Sequence, residues 1–180
     1  MITNLTLIAV SAVRGIQIAR SSDVDWSVET VLSNQDVRCV ATHPDDPTQW
    51  VAGTQGNGVF KTADSGASWV STGLEELIIK SFAISTNAIY AGTKPAGVFA
   101  SSDGGGTWSE SKSFNRIPGR RLWWSPAESP GTANVQSLAI SPSDPGVLVA
   151  GIEFGAVVRS TDAGETWSRH IKGSLRDCIP

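Results

Sequence analysis

The sequence is poor in the residues on which most catalytic and metal chemistry rests, with two histidines, two cysteines and one tyrosine in 180 residues. Cys39 and Cys178 are too sparse for a disulfide framework and have no metal-ligand spacing. Cys39 sits in the apolar run Val37 to Ala41 and reads as a small buried hydrophobe. His43 opens the turn His43-Pro-Asp-Asp-Pro47 and His170 stands alone, so neither a zinc site nor another cofactor is expected. Charge is scarce too. Fourteen Lys and Arg against seventeen Asp and Glu leave a net charge of −3, which argues against nucleic acid as a partner. No apolar run approaches the roughly eighteen residues of a membrane helix, so no membrane partner is expected. The apolar start Met1 to Val10 has no Lys or Arg before it and Arg14 after it, the wrong order for a signal peptide, so it reads as a first strand. The expected location is the cytoplasm, with secretion left open.

Helical periodicity is also missing; Leu74-Glu-Glu-Leu-Ile-Ile79 is short and runs into strand-like sequence. Glycine and tryptophan are plentiful, at 18 and 7 residues, and their placement repeats. One copy reads Val37 to Pro44, Trp50 to Thr54 and Gly58 to Trp69. The order returns as Ile79 to Ser85, Ile89 to Thr93 and Gly97 to Trp108, then as Val135 to Pro142, Val147 to Gly151 and Ala156 to Trp167. A faded copy opens the chain and ends at Trp26, with the interval from Gly15 to Trp26 matching those from Gly58 to Trp69 and Gly97 to Trp108. Short Val-, Ile-, Phe- and Thr-rich runs between Gly, Pro, Asp and Ser clusters are strand chemistry, three to four strands per copy. A repeat of about 40 residues is the length of one propeller blade. The expected fold is therefore all-β, a partial β-propeller of about four four-stranded antiparallel blades. Their approximate limits are 1–33, 34–75, 76–132 and 133–174 within one segment, 1–180, expected to be truncated.

The sharpest motif is Ser/Thr-x-Asp-x-Gly-x-Ser/Thr-Trp. It occurs at Thr62-Asp64-Gly66-Ser68-Trp69, Ser101-Asp103-Gly105-Thr107-Trp108 and Ser160-Asp162-Gly164-Thr166-Trp167. In such a hairpin the Asp accepts backbone N–H bonds, the Gly supplies backbone freedom and the Trp packs between strands. The acids could suggest glycoside hydrolysis, but identical residues repeated once per blade cannot converge on one site, so the structural role is expected. These motifs resemble the Asp-box (BNR) repeat family of β-propellers, which includes sialidases, Vps10-type receptors, Ycf48-type photosystem assembly factors and some endoglucanases. The chain is also similar to the N-terminal half of bacterial WD40/YVTN/BNR-like repeat proteins. The opening copy departs from the pattern, with Ala19, Ser21, Asp23 and Asp25 at the Ser, Asp, Gly and Thr positions.

Strand parity puts the hairpins at one end of each blade and the turns Gln55-Gly-Asn57, Lys94-Pro-Ala96 and Glu153-Phe-Gly155 at the other. In propellers of this resemblance that second end binds ligands, which marks Gln55 and Lys94 as candidates. The third interval between tryptophans is also long. Trp69 to Trp108 is 39 residues but Trp108 to Trp167 is 59, and the excess lies in Ser109 to Asn134. That insertion carries Arg116, Arg120, Arg121, Trp123 and Trp124, types suited to carboxylates, phosphates, sugars and cations. The competing expectation has Trp123 and Trp124 packed between blades with the arginines solvated beside them. Arg116-Ile117-Pro118 matches part of the sialidase Phe/Tyr-Arg-Ile-Pro motif, but Asn115 intervenes and the motif follows two Asp boxes.

Two functions follow. The first is a binding or scaffold module for a carbohydrate or protein, with self-association possible through an open blade edge. The alternative is a sialidase-like or other glycoside hydrolase with Glu128 or Glu153 as acid or base and further catalytic residues beyond Pro180. A carboxylate pair about 5 to 9.5 Å apart would favour it. A photosystem-type assembly role rests on fold analogy alone.

Overall fold

The computed structural model describes residues 7–21, 25–126 and 131–170. They form an all-β propeller segment of antiparallel blade sheets that curl into a half-barrel. The first blade has three strands among the described residues, β1 (Leu7–Ala12), β2 (Gly15–Ser21) and β3 (Trp26–Val31). The second has β4 (Val37–Thr42), β5 (Trp50–Asn57), β6 (Val59–Thr62) and β7 (Val70–Ser71). The third has β8 (Glu75–Ser85), β9 (Ala88–Lys94), β10 (Val98–Ser101) and β11 (Ser109–Glu110). The fourth has β12 (Val135–Ile140), β13 (Leu148–Ile152), β14 (Val157–Ser160) and β15 (Ser168–His170). The leading strands lie side by side, β1 by β4, β4 by β8 and β8 by β12. The tip of β5 also pairs with β8 through Gln55 and Ile78, joining the second and third blades by hydrogen bonds.

Cross-strand register explains why the blades stack. On one face of each blade an alanine in the second strand lies between two larger apolar residues: Ile8–Ala19–Val28, Val40–Ala52–Phe60, Phe82–Ala91–Phe99 and Leu138–Ala150–Val158. The opposite face places an alanine on the leading strand beside a larger residue, as in Ala9–Ile18, Ala41–Val51, Ala83–Tyr90 and Ala139–Val149. The second kind of face in each blade packs on the first kind in the next, giving three hydrophobic cores between successive blades. Strand alternation sends successive side chains to opposite faces, so the short pitch of the repeat yields two packing surfaces per blade.

Glycine permits the close approach. A Cβ at Gly53 would lie 2.6 Å from the Ile79 side chain of the third blade, and one at Gly92 2.7 Å from Val135 of the fourth.

The three aspartate hairpins have the same construction. Thr62, Ser101 and Ser160 donate their hydroxyls to Asp64, Asp103 and Asp162 at 2.6 to 2.7 Å. Those carboxylates accept the backbone N–H of Ser68, Thr107 and Thr166 at 2.8 to 2.9 Å. Two left-handed residues follow each Asp, ending at Gly66, Gly105 and Gly164 with φ of 90, 85 and 89°. At Gly66 a Cβ would also strike Ile18 of the preceding blade at 2.5 Å. Trp69, Trp108 and Trp167 each turn into the core shared with the preceding blade. Trp26, at the same place in the first blade, is 49% exposed.

Candidate functional site

The insertion between β11 and β12 is anchored by its own apolar residues. It makes two 3-10 turns, Phe114–Arg116 and Arg120–Leu122, separated by Pro118 and by Gly119 in the left-handed region. Phe114, Ile117 and Trp123 enter the core between the third and fourth blades. The Phe114 ring meets Trp123 and Trp167 edge-on, with centroids 5.9 and 5.6 Å away. Burial of these three side chains, with the backbone bonds of the two turns, holds the segment in place.

This anchoring decides what faces outward. The Arg120 guanidinium lies 5.7 Å from the Phe114 ring and 5.9 Å from Trp123, and donates to the Ala96 carbonyl in the β9–β10 turn. Partial burial lowers its pKa, opposed by the negative charge of Glu110. Arg116 and Arg121 are exposed on either side. The three arginines border an open cleft of about 560 Å³, and Arg120 and Arg121 with Trp123 border a second of about 200 Å³ reaching Pro95 and Ala96.

The β13–β14 turn completes the corner. Phe154 at its tip, 63% exposed, leans against Trp124, 54% exposed, with ring centroids 6.1 Å apart. Trp124 is held by a bridge to Thr132 and by the Ser125 N–H on the Gly131 carbonyl at 3.0 Å. Glu153 is tied inward instead. Its carboxylate accepts from Asn134 Nδ2 at 2.5 Å and its N–H donates to the Asn134 carbonyl at 3.1 Å. Arg120 Nε, Trp123 Nε1 and Asn134 Oδ1 are buried under this corner with no hydrogen-bond partner among the described residues.

The structure thus brings Arg116, Arg120 and Arg121 to one cleft and separates the tryptophan pair. Trp123 is a core residue at 9% exposure, whereas Trp124 faces outward, so the two do not share one role as both expectations had them. Lys94 is buried at 4% exposure, beside a cis Lys94–Pro95 peptide. Gln55 is exposed in the second blade, where its N–H donates to the Asp36 carbonyl, outside the insertion corner. Glu128 lies outside the described residues. Phe154 was not singled out from the sequence, although the Glu153-Phe-Gly155 turn containing it was; an apolar residue at a turn tip was the available signal.

No described helix is long and apolar enough to cross a membrane. No group of three or more His, Cys, Asp or Glu that could hold a metal occurs among the described residues.

No protein-family model and no curated protein matches the sequence. Solved structures do match. A GH74 xyloglucanase from Xanthomonas campestris superposes with a TM-score of 0.66 at 15% identity, covering 95% of this chain and 29% of that one. The extracellular domain of a putative one-component system from B. thetaiotaomicron gives 0.65 at 15% identity, covering 96% and 23%. YCF48 bound to D1 peptide gives 0.59 at 18% identity, covering 86% and 47%. The likeness is one of fold. The chain spans between about a quarter and a half of the length of these structures.

Proposed function

We propose that the chain is a binding module whose ligand face is the corner made by the β9–β10 turn, the insertion and the β13–β14 turn. Its ligand is a carboxylate-bearing peptide or saccharide. The observation that carries this reading is the cluster of Arg116, Arg120 and Arg121 on one open cleft of a net-negative protein, together with the exposed Trp124–Phe154 pair next in sequence to Trp123 of the second cleft. Guanidinium forks pair with carboxylates, and an exposed aromatic pair supplies a stacking surface for a sugar ring or an apolar side chain. A peptide complex of YCF48 and the GH74 enzymes supply protein and carbohydrate precedents on the same fold. The repeated hairpins support a place among Asp-box propellers, with the four blades as one segment of 1–180.

Calorimetric titration with an acidic peptide and with a uronate-containing oligosaccharide tests the reading. Binding of one of them, weakened about tenfold by Arg121→Ala and by Trp124→Ala and weakened by salt, is the expected result. Failure of both ligands to bind overturns it. Release of reducing sugar from a glycan substrate would favour the glycoside hydrolase alternative, with Glu153 as the first residue to substitute.

A further inference from the structure

The joint between the second and third blades carries a groove at the aspartate-hairpin end. A cavity of about 70 Å³ there is bordered by His43, Lys61 and Gly104 and by the apolar Val51, Ile84 and Ile89. A second, of about 220 Å³, extends to Asn87 in the β8–β9 turn and to Ser102, and shares His43, Ile89 and Gly104 with the first, so the two form one groove. At Gly104, with φ of 68°, a Cβ would meet nothing within 4 Å.

The repeat itself shows that the fold does not call for the two basic residues. The His43 N–H closes the β4–β5 turn on the Gln49 carbonyl at 2.9 Å, and the Ser141 N–H closes the β12–β13 turn on the Val147 carbonyl at the same distance. In the third blade that place falls to Ser85. Lys61 lies opposite Val51, where the third blade sets Ala100 opposite Tyr90 and the fourth Arg159 opposite Val149. A histidine and a lysine thus border one cavity in positions that the third copy fills with serine and alanine. Departures of this kind from a repeat that folds without them point to a ligand.

Both side chains have donors to offer. The Asp45 N–H donates to His43 Nδ1 at 3.3 Å, so the neutral ring carries its proton on Nε2. Lys61 Nζ donates to the Gly104 carbonyl at 3.5 Å, longer than the bonds of Arg20 and Tyr90 to the matching carbonyls of Ser65 and Ala163, at 2.9 and 3.1 Å. Two further N–H groups of the ammonium are left for a ligand. The acids at this end are engaged elsewhere, Asp46 by Thr48 and Gln49 and Asp103 by Ser101 and Thr107. Neither Lys61 nor His43 forms an ion pair among the described residues.

We propose that this groove binds a small carboxylate carried on a short apolar chain. One carboxylate oxygen accepts from the Lys61 ammonium and the other from His43 Nε2, while the chain lies against Val51, Ile84 and Ile89. Two point donors match the two oxygens of a carboxylate, whereas a phosphate brings three that need partners. The groove is at the other end of the blades from the arginine corner and is a separate site.

Titration of isovalerate into protein labelled with carbon-13 at its isoleucine methyl groups tests the inference. The Ile84 and Ile89 signals are expected to shift and to saturate by about 10 mM, while the uncharged isovaleramide leaves them in place. His43→Ser and Lys61→Ala install the third copy's own residues. Each is expected to weaken binding about tenfold, with the other methyl signals unmoved as evidence of an intact fold. No saturable shift, an equal response to the amide, unchanged affinity in either variant, or tighter binding of isobutyl phosphate than of isovalerate overturns it. Arg121→Ala is expected to leave this titration unchanged, so this inference and the binding reading fail separately.

Discussion

The Tyr90 hydroxyl donates to the carbonyl of Ala163 at 3.1 Å, tying the third blade to the aspartate hairpin of the fourth. Burial raises the phenol's pKa, and the nearby negative charge of Glu165 adds to the rise, so the hydroxyl stays a donor across ordinary pH. Ala163 can present its carbonyl because it is in the left-handed region, with φ of 57°, as Ser65 is in the second blade. Removing the donor with Tyr90→Phe leaves the ring in place and the carbonyl without its partner. The expected loss is about 1 kcal/mol in urea unfolding, with the m-value unchanged.

The aspartate hairpins predict an acid limit. Asp64 is held at about 2, chiefly by the Ser68 hydroxyl and then by Thr62; Asp103 and Asp162 are lowered by the equivalent bonds, led by the Thr107 N–H and the Thr166 hydroxyl. A carboxyl whose folded value lies below its unfolded one stabilises the fold above about pH 4 and loses that effect as pH falls through the folded value. Thermal stability is therefore expected to hold from neutral pH to about pH 4 and to fall steeply below it. Asp103→Asn should lower the melting temperature at pH 7 and flatten the acid limb, measured by calorimetry across pH.

Tryptophans that look alike in sequence should behave differently. Trp50 is 2% exposed, packs edge-on to Trp69 at 6.3 Å and donates its Nε1 to the Pro47 carbonyl at 2.7 Å. Trp50→Ala is expected to cost about 3–5 kcal/mol in denaturant unfolding. Trp124→Ala should stay within about 0.5 kcal/mol of wild type while losing ligand affinity.

Cys39 offers a probe of the contact between the second and third blades. Its thiol donates to the Ile79 carbonyl at 3.6 Å, and burial pushes its pKa up to about 12. In a Cys178→Ser background the thiol should react slowly with a disulfide reagent at pH 8 and at the unhindered rate in denaturant. Rapid labelling of the folded protein would mean that these blades part readily.

The fold was legible because its determinants are local and repeated. Asp64, Asp103 and Asp162 each bond to residues within four positions, so spacing alone carried the hairpins. The corner was less legible because its arrangement depends on contacts distant in sequence. Trp123 and Trp124 are neighbours, and only the packing of Phe114 on Trp167 decides which of them turns inward. Lys94 was marked as a ligand candidate by its place in the β9–β10 turn, yet it is buried, and the insertion covers that turn through the Ala96 N–H on the Ala133 carbonyl and the Arg120 bond to Ala96. The residues masking it lie more than twenty positions away, out of reach of a local pattern.

The most direct test of blade-on-blade stacking compares two glycines in equivalent strand positions. A Cβ at Gly92 would press on Val135 of the next blade, whereas a Cβ at Gly151 would meet only the Ser137 hydroxyl and Cβ of its own blade within 4 Å. In denaturant unfolding, Gly92→Ala is expected to lose about 1–3 kcal/mol more than Gly151→Ala. Equal losses at the two positions would contradict the stacking.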